Sequence, residues 1–172
     1  SYAPEEKEFP ATITNLSHCG ATVHREVRKH VPDYDYIVID CPPAIDSPAP
    51  SSALLISDLA IAPFVPSVPD MWAIEDLSEL VDRAKITNEA LQVRLLATQK
   101  IRSAVGAKVI ETLEEKLPTV PLMETSLRQL SAYREAVGMG GTVHDVPRGG
   151  QAVEEIEKIV DECLAIMAGE GR

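Results

Sequence analysis

The sequence lacks any apolar run long enough to cross a bilayer. A membrane-spanning helix needs about 20 consecutive apolar residues, and no stretch of the 172 residues approaches that length. The first six residues, SYAPEE, supply neither the basic start nor the apolar core of a signal peptide. We therefore expect a soluble, cytoplasmic protein with no membrane partner.

The sequence also has few cysteines and no C-x-x-C pair. Cys19, Cys41 and Cys163 are an odd, widely spaced set, which argues against a redox motif or an iron–sulfur cluster. His18, His24 and His30 do not combine with Cys19 into any standard zinc-ligand spacing. The sequence therefore predicts structural thiols and surface histidines.

Internal repeats and low-complexity tracts are absent as well. Hydrophobic residues make up 45% and charged residues 25% of the chain, which are ordinary values for a globular protein. A length of 172 residues suits one domain better than two. We expect residues 1–172 to form a single domain.

Positive charge is scarce, but it is concentrated. The net charge is −11, so the surface as a whole is not a nucleic-acid footprint. Residues 83–148 nevertheless hold 10 Lys and Arg against 7 Asp and Glu, whereas the rest of the chain holds 6 against 20. A local basic patch on an acidic protein is therefore predicted.

Continuous apolar runs predict buried strands at residues 36–40, 59–65 and 93–98, because parallel strands covered on both faces do not alternate. Helical periodicity separates them, and a further short strand is predicted at 11–14. Strands alternating with helices predict an α/β fold, a mostly parallel, doubly wound sheet with helices on both faces. The predicted helices cover 21–31, 50–56, 72–86, 104–117, 127–137 and 151–167.

Asp40 ends the first predicted strand, just before Cys41 and two prolines. Ligands in such sheets bind beyond the carboxyl ends of the strands, and a carboxylate there is costly unless it is hydrogen-bonded or faces a metal. One reading is the Walker B aspartate of a P-loop nucleotidase, which orients Mg²⁺ or its water shell. The other is an aspartate that accepts hydrogen bonds from turn amides.

Two segments resemble the ParA family of deviant-Walker partition ATPases. Residues 34–43 (YDYIVIDCPP) are similar to that family's YDxIIIDxPP segment, and residues 57–67 (SDLAIAPFVPS) to its ADxxIxPxxPS strand. Residues 98–100 (TQK) and 138–143 (GMGGTV) match weaker family features near a strand end and before the last helix. The resemblance extends from about residue 9 onward and implies a P-loop NTPase-like fold.

One family feature is missing from the sequence. No Gly-Lys pair occurs in it, so it contains no K-G-G-x-G-K-S/T loop to hold phosphates with backbone amides. We expect the chain to represent the C-terminal part of the fold, without the first strand, the phosphate-binding loop and the second strand, and not to bind ATP in the family manner.

The resemblance implies roles for particular residues. Asp40 is the expected catalytic residue and, through water, the Mg²⁺ ligand. Thr98, Gln99 and Lys100 are expected near the adenine or ribose of ATP, and Pro66 and Asp70 along the nucleotide-dependent dimer surface, although a helix cap is the favoured role of Asp70. The candidates for sequence-independent DNA contacts are Lys100, Arg102, Lys108, Arg128, Arg134 and Arg148.

The function that the resemblance implies is plasmid or chromosome segregation. ATP and Mg²⁺ would close a homodimer, the dimer would coat the nucleoid through non-specific DNA binding, and a centromere-binding, ParB-like partner would stimulate release. The alternative is a non-catalytic ParA-like interaction module without a nucleotide site. A MinD-type division-site ATPase is disfavoured, because the acidic last helix would be repelled by anionic lipid.

Overall fold

The computed structural model describes residues 10–44, 46–99 and 104–169, and for residues 68–75 it describes the backbone alone. Helices and strands alternate through the middle of the chain, and helices follow. Among the described residues, short 3₁₀ turns lie at Gly20–Thr22, Val31–Asp33 and Val143–Asp145. The regular elements are α1 (Val23–His30), α2 (Pro48–Leu54), β1 (Leu59–Phe64), α3 (Val68–Lys85), β2 (Gln92–Ala97), α4 (Ala104–Lys116), α5 (Ser131–Gly138) and α6 (Gly150–Met167).

Strands β1 and β2 form a parallel pair joined by α3, which is one βαβ unit. The register runs from Leu59 opposite Gln92 to Phe64 opposite Ala97. The strands predicted at 59–65 and 93–98 are thus confirmed as parallel neighbours. Their short, mainly apolar sequences favour strand where both faces are covered.

Residues 121–123 lie alongside β2 on its other side, where Leu122 forms an isolated parallel bridge with Leu95. The amide of Leu95 donates to the carbonyl of Pro121 at 2.9 Å, and the amide of Met123 donates to the carbonyl of Leu95 at 2.8 Å. At the carboxyl end, the amide of Leu127 donates to the carbonyl of Ala97 at 2.9 Å. The regular sheet is therefore the pair β1 and β2, with Leu122 bridged to β2 and Leu127 attached to the carboxyl end of β2 by one hydrogen bond.

Helices cover both faces of β2, as the α/β pattern predicts. Val93, Leu95 and Ala97 share one hydrophobic cluster with α3 and α4, whereas Leu96 packs with Met123 and with Ile159 of α6 on the opposite face. Successive residues of a strand point to opposite faces, so this division confirms the predicted α/β class. The regular sheet is small, since only β1 and β2 are full strands among the described residues.

The strand predicted at residues 36–40 is wrong, because the structure has no regular strand there. Tyr36 and Val38 are 69% and 93% exposed, while Ile39 and Cys41 pack against a small cluster formed with α1 and α2. A strand needs a neighbour that pairs with its backbone amides and carbonyls. No described residue forms such a ladder with this segment.

Other boundaries also differ from the sequence prediction. No strand forms at residues 11–14, which are largely exposed. Helix α5 begins at Ser131 and not at residue 127, and the amide of Leu127 is instead bonded to the carbonyl of Ala97. Helix α3 begins at Val68 with Ser67 as its N-cap residue, so Asp70 is the third residue of the helix and not its cap.

Candidate functional site

The carboxyl ends of β1 and β2 meet at one edge of the sheet, and Leu127 is attached to that edge by a hydrogen bond. Phe64 lies opposite Ala97, and Leu127 is hydrogen-bonded to Ala97 on the other side. The residues that follow these three positions therefore lie at one edge, where parallel α/β sheets bind their ligands. Of the residues singled out from the sequence, Pro66, Thr98, Gln99 and Arg128 are brought to this edge.

Thr98 is bound to the neighbouring strand by both its amide and its hydroxyl group. The amide donates to the carbonyl of Phe64 at 2.8 Å, and the hydroxyl donates to the same oxygen at 3.0 Å. Gln99 follows with φ of +49°, the left-handed region that residues other than glycine seldom occupy. The chain therefore turns away sharply after β2 and leaves the Gln99 side chain exposed. Lys100 and Arg102 lie outside the described residues.

The loop between β1 and α3 makes a tight turn centred on Pro66. The amide of Ser67 donates to the carbonyl of Val65 at 2.7 Å, and proline's fixed φ suits the middle of such a turn. Helix α3 starts directly afterwards and contains Asp70, whose backbone alone is described. Pro66 is thus placed by a rigid turn at the carboxyl end of β1.

Asp40 lies in the segment that packs against α1 and α2, and it is exposed. A single carboxylate is compatible with Mg²⁺, which usually keeps several waters and takes one or two carboxylates together with phosphate oxygens. Among the described residues there is no group of three or more His, Cys, Asp or Glu side chains that could hold a metal by themselves. The sequence also has no Gly-Lys loop for the phosphates of ATP. The chemistry of the Asp40 carboxylate therefore suits the water shell of Mg²⁺, but it does not replace a loop that binds the phosphate groups.

A network around Glu155 of α6 fixes the segment that carries Arg128. Glu155 is only 6% exposed, and its carboxylate accepts hydrogen bonds from the Arg128 guanidinium at Nε, from the Arg128 amide at 3.1 Å and from the Tyr133 hydroxyl at 2.7 Å. With the Gln151 amide oxygen turned toward Arg128, that oxygen accepts from the two terminal nitrogens at 2.7 and 2.9 Å. The guanidinium is therefore held by two residues of α6.

These contacts shift the pKa values of both Glu155 and Tyr133. Burial raises the pKa of Glu155, but the hydrogen bonds from Arg128 and Tyr133 lower it more, so the pKa lies below its usual value. Burial, followed by the hydrogen bond to Glu155, raises the pKa of Tyr133 well above its usual value. Glu155 is therefore ionised and Tyr133 neutral near pH 7.

The remaining basic candidates lie on other elements. Lys108 of α4 is exposed and forms an ion pair with Glu111 at 2.9 Å, a contact that raises the pKa of the lysine. Arg134 of α5 and Arg148, which precedes α6, are both exposed. Their exposure leaves them accessible to a phosphate backbone, which needs no special spacing of Lys and Arg.

Sequence reasoning missed Glu155 as a buried residue. The acidic residues of the last helix were considered only as charges that anionic lipid would repel. The overlooked signal is the helical period, because Glu155 stands with Ala152 and Ile159 on the face that turns inward. A carboxylate on an apolar face predicts a buried partner for its charge.

Residues 6–96, more than half of the chain, match a family model described as an AAA domain. The chain is 32% identical over 159 residues to "Maintenance of carboxysome distribution protein A" of Halothiobacillus neapolitanus, a match that covers 92% of the chain and 73% of that protein. This chain belongs to the ParA family of ATPases. The resemblance seen in residues 34–43 and 57–67 is thereby confirmed, since both segments fall within the family match.

A second relative in the ParA family is the "Sporulation initiation inhibitor protein Soj" of Bacillus subtilis. It is 30% identical over 106 residues, which covers 55% of this chain and 40% of that protein. Across the part of the chain that the structure describes, no helix has the length and apolar character needed to cross a membrane.

Proposed function

We propose that this chain is part of a ParA-type ATPase that positions an intracellular cargo through ATP-dependent dimerisation and non-specific binding to DNA. One observation carries the proposal: the match over 92% of the chain to a protein named for carboxysome distribution. The cargo is a carboxysome or a similar large body. The protein works in the cytoplasm, associated with the nucleoid.

In this proposal the nucleotide closes a homodimer, and a partner protein on the cargo stimulates hydrolysis and release. Bound Mg²⁺ would neutralise developing charge on the phosphates during transfer. Asp40 orients the water shell of the ion, and Thr98, Gln99 and Lys100 lie toward the base or ribose. Pro66 and Asp70 lie along the dimer surface.

The DNA-binding face is formed by basic side chains of residues 83–148, the part of the chain with a net positive balance. In support, Lys108, Arg134 and Arg148 are exposed, and Arg128 is half exposed at the edge of the sheet. The proposed contacts are made by Lys100, Arg102, Lys108, Arg128, Arg134 and Arg148.

The test uses the full-length protein with Mg-ATP and DNA duplexes of unrelated sequence. Changing Lys100 and Arg102 to Glu is expected to weaken binding to every duplex alike and to leave ATP turnover without DNA nearly intact, because phosphate contacts carry no sequence information. A loss confined to one duplex would indicate base readout and contradict the proposal.

Cargo identity is tested in cells. Deleting the gene should leave carboxysomes, or the equivalent body, clustered instead of evenly spaced along the nucleoid, as seen by fluorescence microscopy. Even spacing after deletion, together with loss of a plasmid or a chromosome copy, would favour the second candidate cargo, DNA itself.

A non-catalytic interaction module remains the competing function for this polypeptide, favoured by the missing Gly-Lys loop. Calorimetric titration of Mg-ATP into residues 1–172 should detect no tight binding, since the phosphate-binding amides and lysine are absent. Micromolar affinity would show that another loop binds the phosphates. ATP hydrolysis by the full-length protein would contradict its being a non-catalytic interaction module.

A further inference from the structure

The carboxylate of Glu155 lies in the protein interior and receives all of its described hydrogen bonds from one segment. Its side chain is 8% exposed, and its partners are Arg128, through both the guanidinium and the backbone amide, and Tyr133. A buried charge is costly unless it is paired and hydrogen-bonded. The network satisfies Glu155, and it also restricts where the guanidinium can lie.

Arg128 itself is not buried. Its side chain is 50% exposed, and it follows Leu127, the last residue that pairs with the carboxyl end of β2. The guanidinium is therefore bound to α6 through Glu155 at Nε and through Gln151 at its terminal nitrogens, and half of the side-chain surface remains open to solvent. An arginine held in this way loses less side-chain entropy on binding than a free one does.

We infer that Glu155 is a positioning residue that presents the guanidinium of Arg128 to phosphate groups of DNA. The inference rests on the proposed DNA-binding function. Arginine and phosphate form charge-assisted, often paired hydrogen bonds. An incoming phosphate displaces the neutral Gln151 oxygen from the terminal nitrogens and leaves the stronger Glu155 contact at Nε in place.

Positioning and bulk charge predict opposite effects when Glu155 is neutralised. Removing a negative charge from a DNA-binding protein raises its affinity through the overall field. If Glu155 instead holds Arg128 in place, Glu155→Gln lowers affinity, because the guanidinium loses its ionic anchor. The sign of the change separates the two effects.

The experiment measures binding of the full-length protein to a duplex of random sequence with Mg-ATP across a salt series. Each phosphate contact contributes about 0.9 to the slope of log affinity against log salt, or roughly eightfold at about 0.1 M salt. Arg128→Ala is expected to lose this amount per protomer, and Glu155→Gln a smaller part of it, because removing the negative charge offsets some of the loss. The double variant should bind no more weakly than Arg128→Ala alone, since Glu155 acts through Arg128.

Two control variants remove a carboxylate elsewhere on α6. Glu157 is exposed, so Glu157→Gln reports the bulk-charge effect and should bind DNA equally or more tightly. Glu162 accepts hydrogen bonds from the amides of Glu124 and Thr125 at 2.7 and 2.9 Å. Glu162→Gln should therefore destabilise the same segment without weakening DNA binding. A loss with Glu162→Gln equal to that with Glu155→Gln would overturn the positioning role.

If the thermal melt shows that Glu155→Gln does not fold, Glu155→Asp is used in its place. This variant keeps the negative charge but moves the carboxylate away from Arg128. Weaker DNA binding by this variant supports the inference, and unchanged binding overturns it. If Glu155→Gln binds DNA as tightly as Glu157→Gln while Arg128→Ala binds more weakly than the wild type, the positioning inference is overturned and the proposed DNA-binding function is not. If Arg128→Ala binds DNA as tightly as the wild type, or if the wild type does not bind DNA, the proposed DNA-binding function is contradicted instead.

Discussion

Thr98 and Phe64 are joined by two hydrogen bonds at the carboxyl edge of the sheet. The amide and the hydroxyl of Thr98 both donate to the carbonyl oxygen of Phe64, at 2.8 and 3.0 Å. The pairing of β1 and β2 is thereby extended one residue beyond the last regular pair. The sharp turn at Gln99 starts directly after this anchor.

Replacing Thr98 by Val should lower the free energy of unfolding by about 0.5–1.5 kcal/mol, because the hydroxyl contact is lost while the shape is kept. Thr98→Ser keeps the hydroxyl and should lose less. Urea denaturation of the wild type and both variants measures the difference. A loss in the Ser variant with none in the Val variant would show that the methyl group, and not the hydrogen bond, is the stabilising part.

Leu95 is the central core residue of β2, with no exposed surface. Leu95→Ala should lower the free energy of unfolding by about 2–5 kcal/mol, from lost burial and the cavity left behind. Ile86 is 80% exposed at the end of α3, so Ile86→Ala should change it by less than about 0.5 kcal/mol. Comparable losses in the two variants would contradict the described core.

The Glu155 network should make stability depend on acid pH. The folded pKa of Glu155 lies below its usual value of 4.5, so its stabilising effect is present above about pH 4.5 and is lost as the pH falls through the folded pKa. The stability difference between wild type and Glu155→Gln should therefore shrink on acidification. Urea denaturation at neutral and acid pH tests this, and a constant difference would contradict it.

Asp40→Ala in the full-length protein should abolish ATP hydrolysis and leave the melting temperature nearly unchanged. Hydrolysis should be lost because Mg²⁺ loses the group that orients its water shell. The melting temperature should stay nearly the same because Asp40 is exposed. Both quantities are measured on one preparation. A destabilised variant with normal turnover would indicate a structural role in the turn and remove Asp40 from the site.

Local pattern was sufficient for the parallel core but not for the segment containing Asp40. The runs at 59–64 and 92–97 are strands, and the helices predicted at 104–117 and 151–167 agree with α4 and α6 to within one residue. Residues 36–40 are as apolar as those strands, yet Val38 is almost fully exposed. Apolar character predicts that a segment favours pairing, whereas only a neighbouring strand can supply the hydrogen bonds.

The sequence by itself determined the ParA family, through residues 34–43 and 57–67, and the α/β class, through unalternating runs separated by helical periods. Only the tertiary structure decided that Leu122 is bridged to β2 and that Glu155 holds Arg128, a residue 27 positions away. The physical reason is that side-chain periodicity is a local property of the chain. The choice of a partner for a buried charge or a strand edge depends on groups that meet only after folding.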